Sequence, residues 1–170
     1  EAATVPVTVK IRAGWHDNDK NAPAFSELME KAGAAAITVH GRTREQKYTG
    51  RSDLELIKLV AQAVDIPVIG NGDVIDLESA QAMADTGVNG IAVGRGAMGK
   101  PWLFDQIRCH FSGIAIPKTP GADVRAELLI ELGSGVAELY GEQRGMRVMR
   151  RLAADFFHGL NGAPQLRKQC

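Results

Sequence analysis

Hydrophobic positions in the first hundred residues fall into short runs separated by longer stretches of a different period. The runs "PVTVKI" (6–11), "AAITVH" (35–40), "IPVIGN" (66–71) and "GIAVGR" (90–95) are rich in Val and Ile. They read as apolar on both faces, the pattern of parallel strands covered by helices. Helix signals lie between them. Pro23 suits a first helical turn, and the segment 23–32 stops at Gly33. Ser52-Asp53-Leu54-Glu55 reads as a capping box opening a helix that runs to about Val64. Leu54, Ile57, Ala61 and Val64 would form its apolar face. Asp76 caps a third helix, with Glu78 in its first turn and Gly87 at its end. The result is a βαβαβαβ array with right-handed crossovers, either a doubly wound sheet or part of a (β/α) barrel.

After Trp102 the pattern changes. A short helix at about 102–111 leads into "SGIAIPKTPGA", a Gly/Pro-rich linker, and then two longer helical segments at about 123–140 and 142–159. The domains predicted are therefore 1–112, an α/β region of four βα units, and 113–170, a helical region.

Composition adds little to this picture. The 170 residues are 45% hydrophobic with no net charge, an ordinary globular balance. No run is long and apolar enough for a membrane span, and no secretion signal is legible, so a cytoplasmic location is expected. Cys109 and Cys170 make neither a disulfide framework nor a metal motif, and His16, His40, His110 and His158 show no ligand spacing. No metal is expected.

The candidate chemistry stands where the strands end, the edge at which ligands bind in both parallel architectures. The first strand ends in Lys10-Ile11-Arg12, the second in His40-Gly41-Arg42, the third in Gly70-Asn71-Gly72-Asp73, and the fourth in Gly94-Arg95-Gly96. Glycine there lets backbone N–H groups approach an anion, and Arg95 would add a fixed charge beside it. Gly72 and Gly94 read as ligand-facing. Gly96 and Gly99 fit a tight turn as well as a ligand. Lys10 and His40 suit a ligand that develops negative charge, while Arg12, Arg42 and Tyr48 extend the polar edge outward. From Arg144 to Lys168 there are six basic residues and one acid. Arg144, Arg147 and Arg151 share one helical stripe, with Met149, Leu152 and Phe156 on another.

The segments "VTVKIRAGW", "ITVHGRTREQKYTG", "IPVIGNGDV" and "IAVGRGAMGKPWLF", in this order, closely resemble the tRNA-dihydrouridine synthases, FMN enzymes that reduce uridine in tRNA with NADPH. "YGEQRGMRVMRR" and "GAPQLRKQ" resemble the helical, tRNA-binding domain of that family. The resemblance implies a TIM-barrel fold of which this chain carries the second half. It implies flavin contacts from Lys10 and His40. Asn71, Gly72 and Asp73 would lie at the FMN ribityl and phosphate, and Gly94 and Arg95 at the phosphate turn. It places Arg12 and Tyr48 at the substrate uracil and the tRNA entrance, and makes tRNA backbone contact the expected role of Arg144, Arg147 and Arg151. The family's catalytic cysteine, in an N-x-G-C-P loop, has no counterpart here, so no catalytic residue is assigned. In "RRLAADFF" the lysine and histidine usual after the arginine are also missing. A closed barrel needs about 250 residues, and only four βα units are present. A half barrel would have two open sheet edges and an apolar inner face, so self-association is expected. Another phosphate-binding barrel enzyme, acting on a free nucleotide or sugar phosphate, and a non-catalytic RNA- or partner-binding remnant are the alternatives.

Overall fold

The computed structural model describes residues 4–160. The chain divides into two compact units, Glu1–Gly96 and Ala97–Cys170. This division falls earlier than the compositional shift at 112, so the short helix after Trp102 lies in the second unit.

The first unit holds a four-stranded parallel sheet: β1 (Thr8–Arg12), β2 (Ala36–His40), β3 (Val68–Asn71) and β4 (Gly90–Ala92). Three helices alternate with the strands: α1 (Ala22–Lys31), α2 (Leu54–Ala63) and α3 (Leu77–Ala84). The strand order is β1-β2-β3-β4, with every sequence neighbour also a spatial neighbour. A doubly wound sheet requires a reversal of strand order, whereas a (β/α) barrel adds its strands in sequence. The order therefore selects the barrel arrangement that the residues alone left open.

The core lies between one sheet face and the helices. Ile37 and Val39 of β2 and Val68 of β3 are buried with Ile57 and Val60 of α2 and Ala80 and Met83 of α3. The buried face of α2 is Leu56, Ile57 and Val60, whereas Leu54, Ala61 and Val64 are only half-buried. Its N-cap is Asp53, whose side chain accepts from the Leu56 N–H. The Ser52 box therefore does not form. Asp76 caps α3 as expected, its partner in the capping box being Ser79.

The opposite sheet face corrects the expectation of strands apolar on both sides. Side chains alternate along a strand, and this face carries Thr8, Lys10, Arg12, Thr38, His40 and Asn71 among Ile69 and Ala92. It is a polar face with a few apolar members, so the apolar inner patch expected to drive self-association is not present. The edges at β1 and β4 remain open within the described residues.

The second unit contains α4 (Trp102–Phe111), α5 (Ala122–Tyr140) and α6 (Glu142–Phe156). Gly141, at φ 78°, makes the turn between α5 and α6. A Cβ at Gly145 would stand 3.0 Å from Ala137 Cα, so this glycine sets how closely the two helices pack. Met149, Ala153 and Phe156 form the buried side of α6, with Leu152 half-buried beside them. Arg125 lies 4.8 Å over the Trp102 ring and donates to the carbonyls of Phe156 and His158, tying the end of α6 to α4 and α5. No helix among the described residues is long and apolar enough to cross a membrane.

Candidate functional site

Parallel register puts Arg12, His40, Asn71 and Ala92 in one row across the C-terminal ends of the strands. Lys10 precedes Arg12 by two residues and so shares its face. The loops beyond this row close a cleft of about 600 Å³. Lys10, Arg12, His40, Tyr48, Asn71, Gly72, Asp73, Gly94 and Arg95 all line it. Val74, Ile75 and Gly96 complete the wall.

Asn71 links three strands at the cleft floor. Its Nδ2 donates to the Ala92 carbonyl at 2.8 Å, which leaves Oδ1 to accept from Lys10 Nζ at 3.2 Å. The amide thereby fixes where the ammonium stands. Partial burial, with the nearby Arg12 cation, lowers the Lys10 pKa from its ordinary value. A bound anion would oppose both effects.

His40 is neutral near pH 7. Half-burial, followed by the cations of Arg12, Lys10 and Arg42, pushes its pKa down to about 4. Its Nδ1 accepts the Arg42 backbone N–H at 3.1 Å, so the neutral ring carries its proton on Nε2. Lys10 and His40 thus present an ammonium and a neutral N–H donor rather than a pair of cations. The shift has a consequence for stability. A histidine whose pKa is lower folded than unfolded binds more protons when unfolded. Stability should therefore fall as pH drops from about 6.5 through 4. The full shift corresponds to about 3 kcal/mol, and solvent screening of a half-exposed ring reduces this to about 1 kcal/mol. Urea unfolding across this window should show the loss, and His40→Gln should flatten it. An identical pH slope in the variant would contradict the assignment.

Behind the floor, Arg42 and Asp73 form an internal strut. Arg42 is 3% exposed. Its Nη1 and Nη2 meet the two Asp73 carboxylate oxygens at 2.7 and 2.9 Å, while Nε donates to Thr49 O and Nη2 also donates to Gly50 O. Asp73 Oδ2 accepts the Ser52 N–H at 2.8 Å as well. Partial burial alone would raise the Asp73 pKa, but the bonds from Arg42 and Ser52 hold it below the usual carboxylate range. The expectation that Arg42 extends the polar edge outward is corrected here: its guanidinium is buried and committed to protein acceptors. Asp73 likewise spends its carboxylate on the strut. Gly72 also has a reason within the protein, because its φ is 127° and a Cβ would strike the Ser52 side chain. Ser52, expected as a cap, is a hub of this corner. Nothing in its local spacing signals that role, because its partners are nineteen and twenty-one residues away.

The outer wall is more open. Arg12 donates to Thr43 O at 3.0 Å and Lys47 O at 3.4 Å, and so steadies the loop that carries Tyr48. Arg95 lies 4.7 Å over the Tyr48 ring, with both side chains largely exposed. It stands only 4.0 Å from Asp73, whose charge Arg42 already balances. Gly94 differs from Gly72. No atom lies within 4 Å of where its Cβ would stand, and its φ is outside the left-handed region. The fold itself gives no reason for glycine there. Gly96 has one, since a Cβ would strike the Val74 carbonyl. Gly99 in the second unit is equally constrained, at φ 66° against the Asp155 backbone.

Arg144, Arg147 and Arg151 are exposed along α6, Arg144 lying 5.4 Å over Tyr140. Cys109 is buried in α4. "GAPQLRKQ", with Arg167 and Lys168, and Cys170 lie outside the described residues. Among the described residues no group of three or more His, Cys, Asp or Glu side chains could hold a metal ion.

Four parallel strands in sequential order, with a cationic cleft at their C-terminal ends, form part of a (β/α) barrel. Lys10, Arg12 and Arg95 give this cleft its positive charge, and the space at Gly94 is open. The sequence pattern of the dihydrouridine synthase (Dus) family matches residues 1–170, and the chain belongs to that family. It is 39% identical over 168 residues to the "Probable tRNA-dihydrouridine synthase" of Rickettsia bellii (strain RML369-C), covering 98% of this chain and 52% of that protein. It is 40% identical over 173 residues to tRNA-dihydrouridine synthase B of Pseudomonas aeruginosa, covering 99% of this chain and 51% of that one. The "Probable tRNA-dihydrouridine synthase" of Mycobacterium tuberculosis (strain CDC 1551 / Oshkosh) is 38% identical over 170 residues, covering 99% and 44% respectively. The chain spans about half the length of these curated relatives.

Proposed function

We propose that this chain supplies the cofactor-phosphate side of an FMN-dependent oxidoreductase that reduces uridine in tRNA to dihydrouridine, with NADPH as reductant. The observation that carries the reading is the cleft at the four strand ends: a fixed ammonium, a neutral imidazole N–H and an unobstructed glycine-arginine turn converge there. Family membership over residues 1–170 supports the same reading.

In this reading Gly94 and Arg95 hold the cofactor phosphate, the backbone approaching closely and the guanidinium adding charge. Lys10, held by Asn71, sets an ammonium against negative charge developing on the flavin ring. His40 donates from Nε2 without adding a second cation. When bound, FMN would supply the hydride equivalent that reduces the uracil ring. Arg12 and Tyr48 border the path of the substrate base, and Arg144, Arg147 and Arg151 contact tRNA phosphates. The N-x-G-C-P cysteine that would protonate the ring is not in this sequence. These 170 residues, supplied with FMN, NADPH and unmodified tRNA, are therefore expected to form no dihydrouridine.

Gly94→Val tests the phosphate assignment. No atom lies within 4 Å of the added Cβ, and φ there is outside the left-handed region, so the urea midpoint should stay close to wild type. It would occupy the ligand's space, and FMN affinity, read by flavin fluorescence, should fall about tenfold or more, corresponding to roughly 1.4 kcal/mol. Unchanged FMN affinity in a folded Gly94→Val protein would refute the assignment.

A further inference from the structure

The loops after β1 and β2 carry an aromatic residue that the cleft does not use. Trp15 is 59% exposed, yet its backbone is held from both sides. Its carbonyl accepts the Glu45 N–H at 3.1 Å, and the preceding Gly14 carbonyl accepts the Arg44 N–H at 2.9 Å. A Cβ on Gly14 would strike the Asp19 carbonyl, so the turn admits no side chain beside the indole. The two loops are zipped together, and the indole is presented on a fixed base at the strand-end edge that also forms the cleft.

Its neighbours indicate the kind of partner. The Arg44 guanidinium lies 5.9 Å from the indole centroid. His16 meets the ring edge-on at 6.3 Å, and its Nδ1 stands 2.8 Å from Glu45, the acid among residues 42–51. With Glu45 engaged by His16, the loop offers Arg44, Lys47 and Arg51 exposed to solvent. An exposed indole with an arginine over it, on a loop that also carries exposed Lys47 and Arg51, matches the way unpaired nucleobases are bound: bases stack on the ring or guanidinium plane while cations meet the phosphates.

We propose that Trp15 and Arg44 form a stacking platform for an unpaired nucleobase of RNA, at the rim of the cleft rather than within it. This rests on the reading of the chain as part of a tRNA-modifying enzyme, and it adds a specific contact that neither the cleft nor the α6 arginines provide.

Intrinsic fluorescence tests it, because the sequence has only two tryptophans. In full chain carrying Trp102→Phe, Trp15 is the sole indole reporter. Titration with unmodified tRNA or a single-stranded uridine octamer should quench it saturably, and a blunt RNA duplex should not. Trp15→Ala should weaken tRNA binding about tenfold or more, in line with the loss of one stacked base. Trp15→Phe should retain most of the affinity. FMN binding should be the same in all three. If tRNA binds with the usual salt dependence while Trp15 is neither quenched nor needed, the platform is overturned and the RNA reading stands. If no form of the chain binds tRNA while FMN binding persists, both the RNA reading and the platform fall together.

Discussion

Replacing Asp73 by alanine should lower the unfolding free energy by about 2–4 kcal/mol. Removing one partner of a buried ion pair leaves the other charge uncompensated, at a cost of about 3–5 kcal/mol when both are buried. Here Arg42 is 3% exposed but the Asp73 side chain is 37% exposed, so water partly screens the loss. Truncation also removes the acceptor for the Ser52 N–H. The backbone gives an internal control. Asp73 sits at φ 57°, a left-handed conformation that costs a side-chain-bearing residue about 1–2 kcal/mol and glycine almost nothing. Asp73→Gly loses the same carboxylate but relieves that strain, so it should be less destabilising than Asp73→Ala by about 1 kcal/mol. The sign with pH follows from the depressed pKa. The pair's contribution is complete above the ordinary carboxylate pKa of about 4 and is lost as pH falls through the lower folded value. Urea denaturation at pH 7 measures the first effect. Equal midpoints for wild type and Asp73→Ala would mean the strut does not hold this corner.

The second large effect concerns nucleic acid. Arg144, Arg147 and Arg151 follow i, i+3, i+7 spacing on α6, and all three are exposed. Each cation placed on a phosphate releases counterions, giving about 0.9 units of slope in log affinity against log salt. The triple alanine variant should therefore lose about three units of slope. At near-physiological salt it should lose tRNA affinity on the order of a hundredfold. The buried face of α6, with Met149, Ala153 and Phe156, is untouched by these changes, so the helical unit should unfold at the same urea concentration. Filter binding across a salt series reads both quantities. Unchanged affinity and slope would make the stripe a solvated surface.

The spacing of apolar runs and the caps placed β1 to β4 and α1 to α6 within a few residues, because period and turn chemistry are local properties. The same sequence also brought Lys10, His40, Asn71, Gly94 and Arg95 to one edge, because in a parallel array every strand ends on the same side. What local pattern could not decide was which strands are neighbours. That required the order β1-β2-β3-β4, fixed by pairing between residues about thirty positions apart. It could not decide the sheet's second face either. Alternation along a three- to five-residue strand is too short to separate a polar inner face from a covered one. Roles among similar side chains were equally hidden. Arg12, Arg42 and Arg95 look alike in sequence, but only Arg42 is buried against a carboxylate thirty-one residues away. Ser52 reads as the cap of α2, but the fold gives that role to Asp53 and turns Ser52 to the Asp73 corner. A polar group's role depends on which partners satisfy it, and those partners are assembled only when distant segments meet.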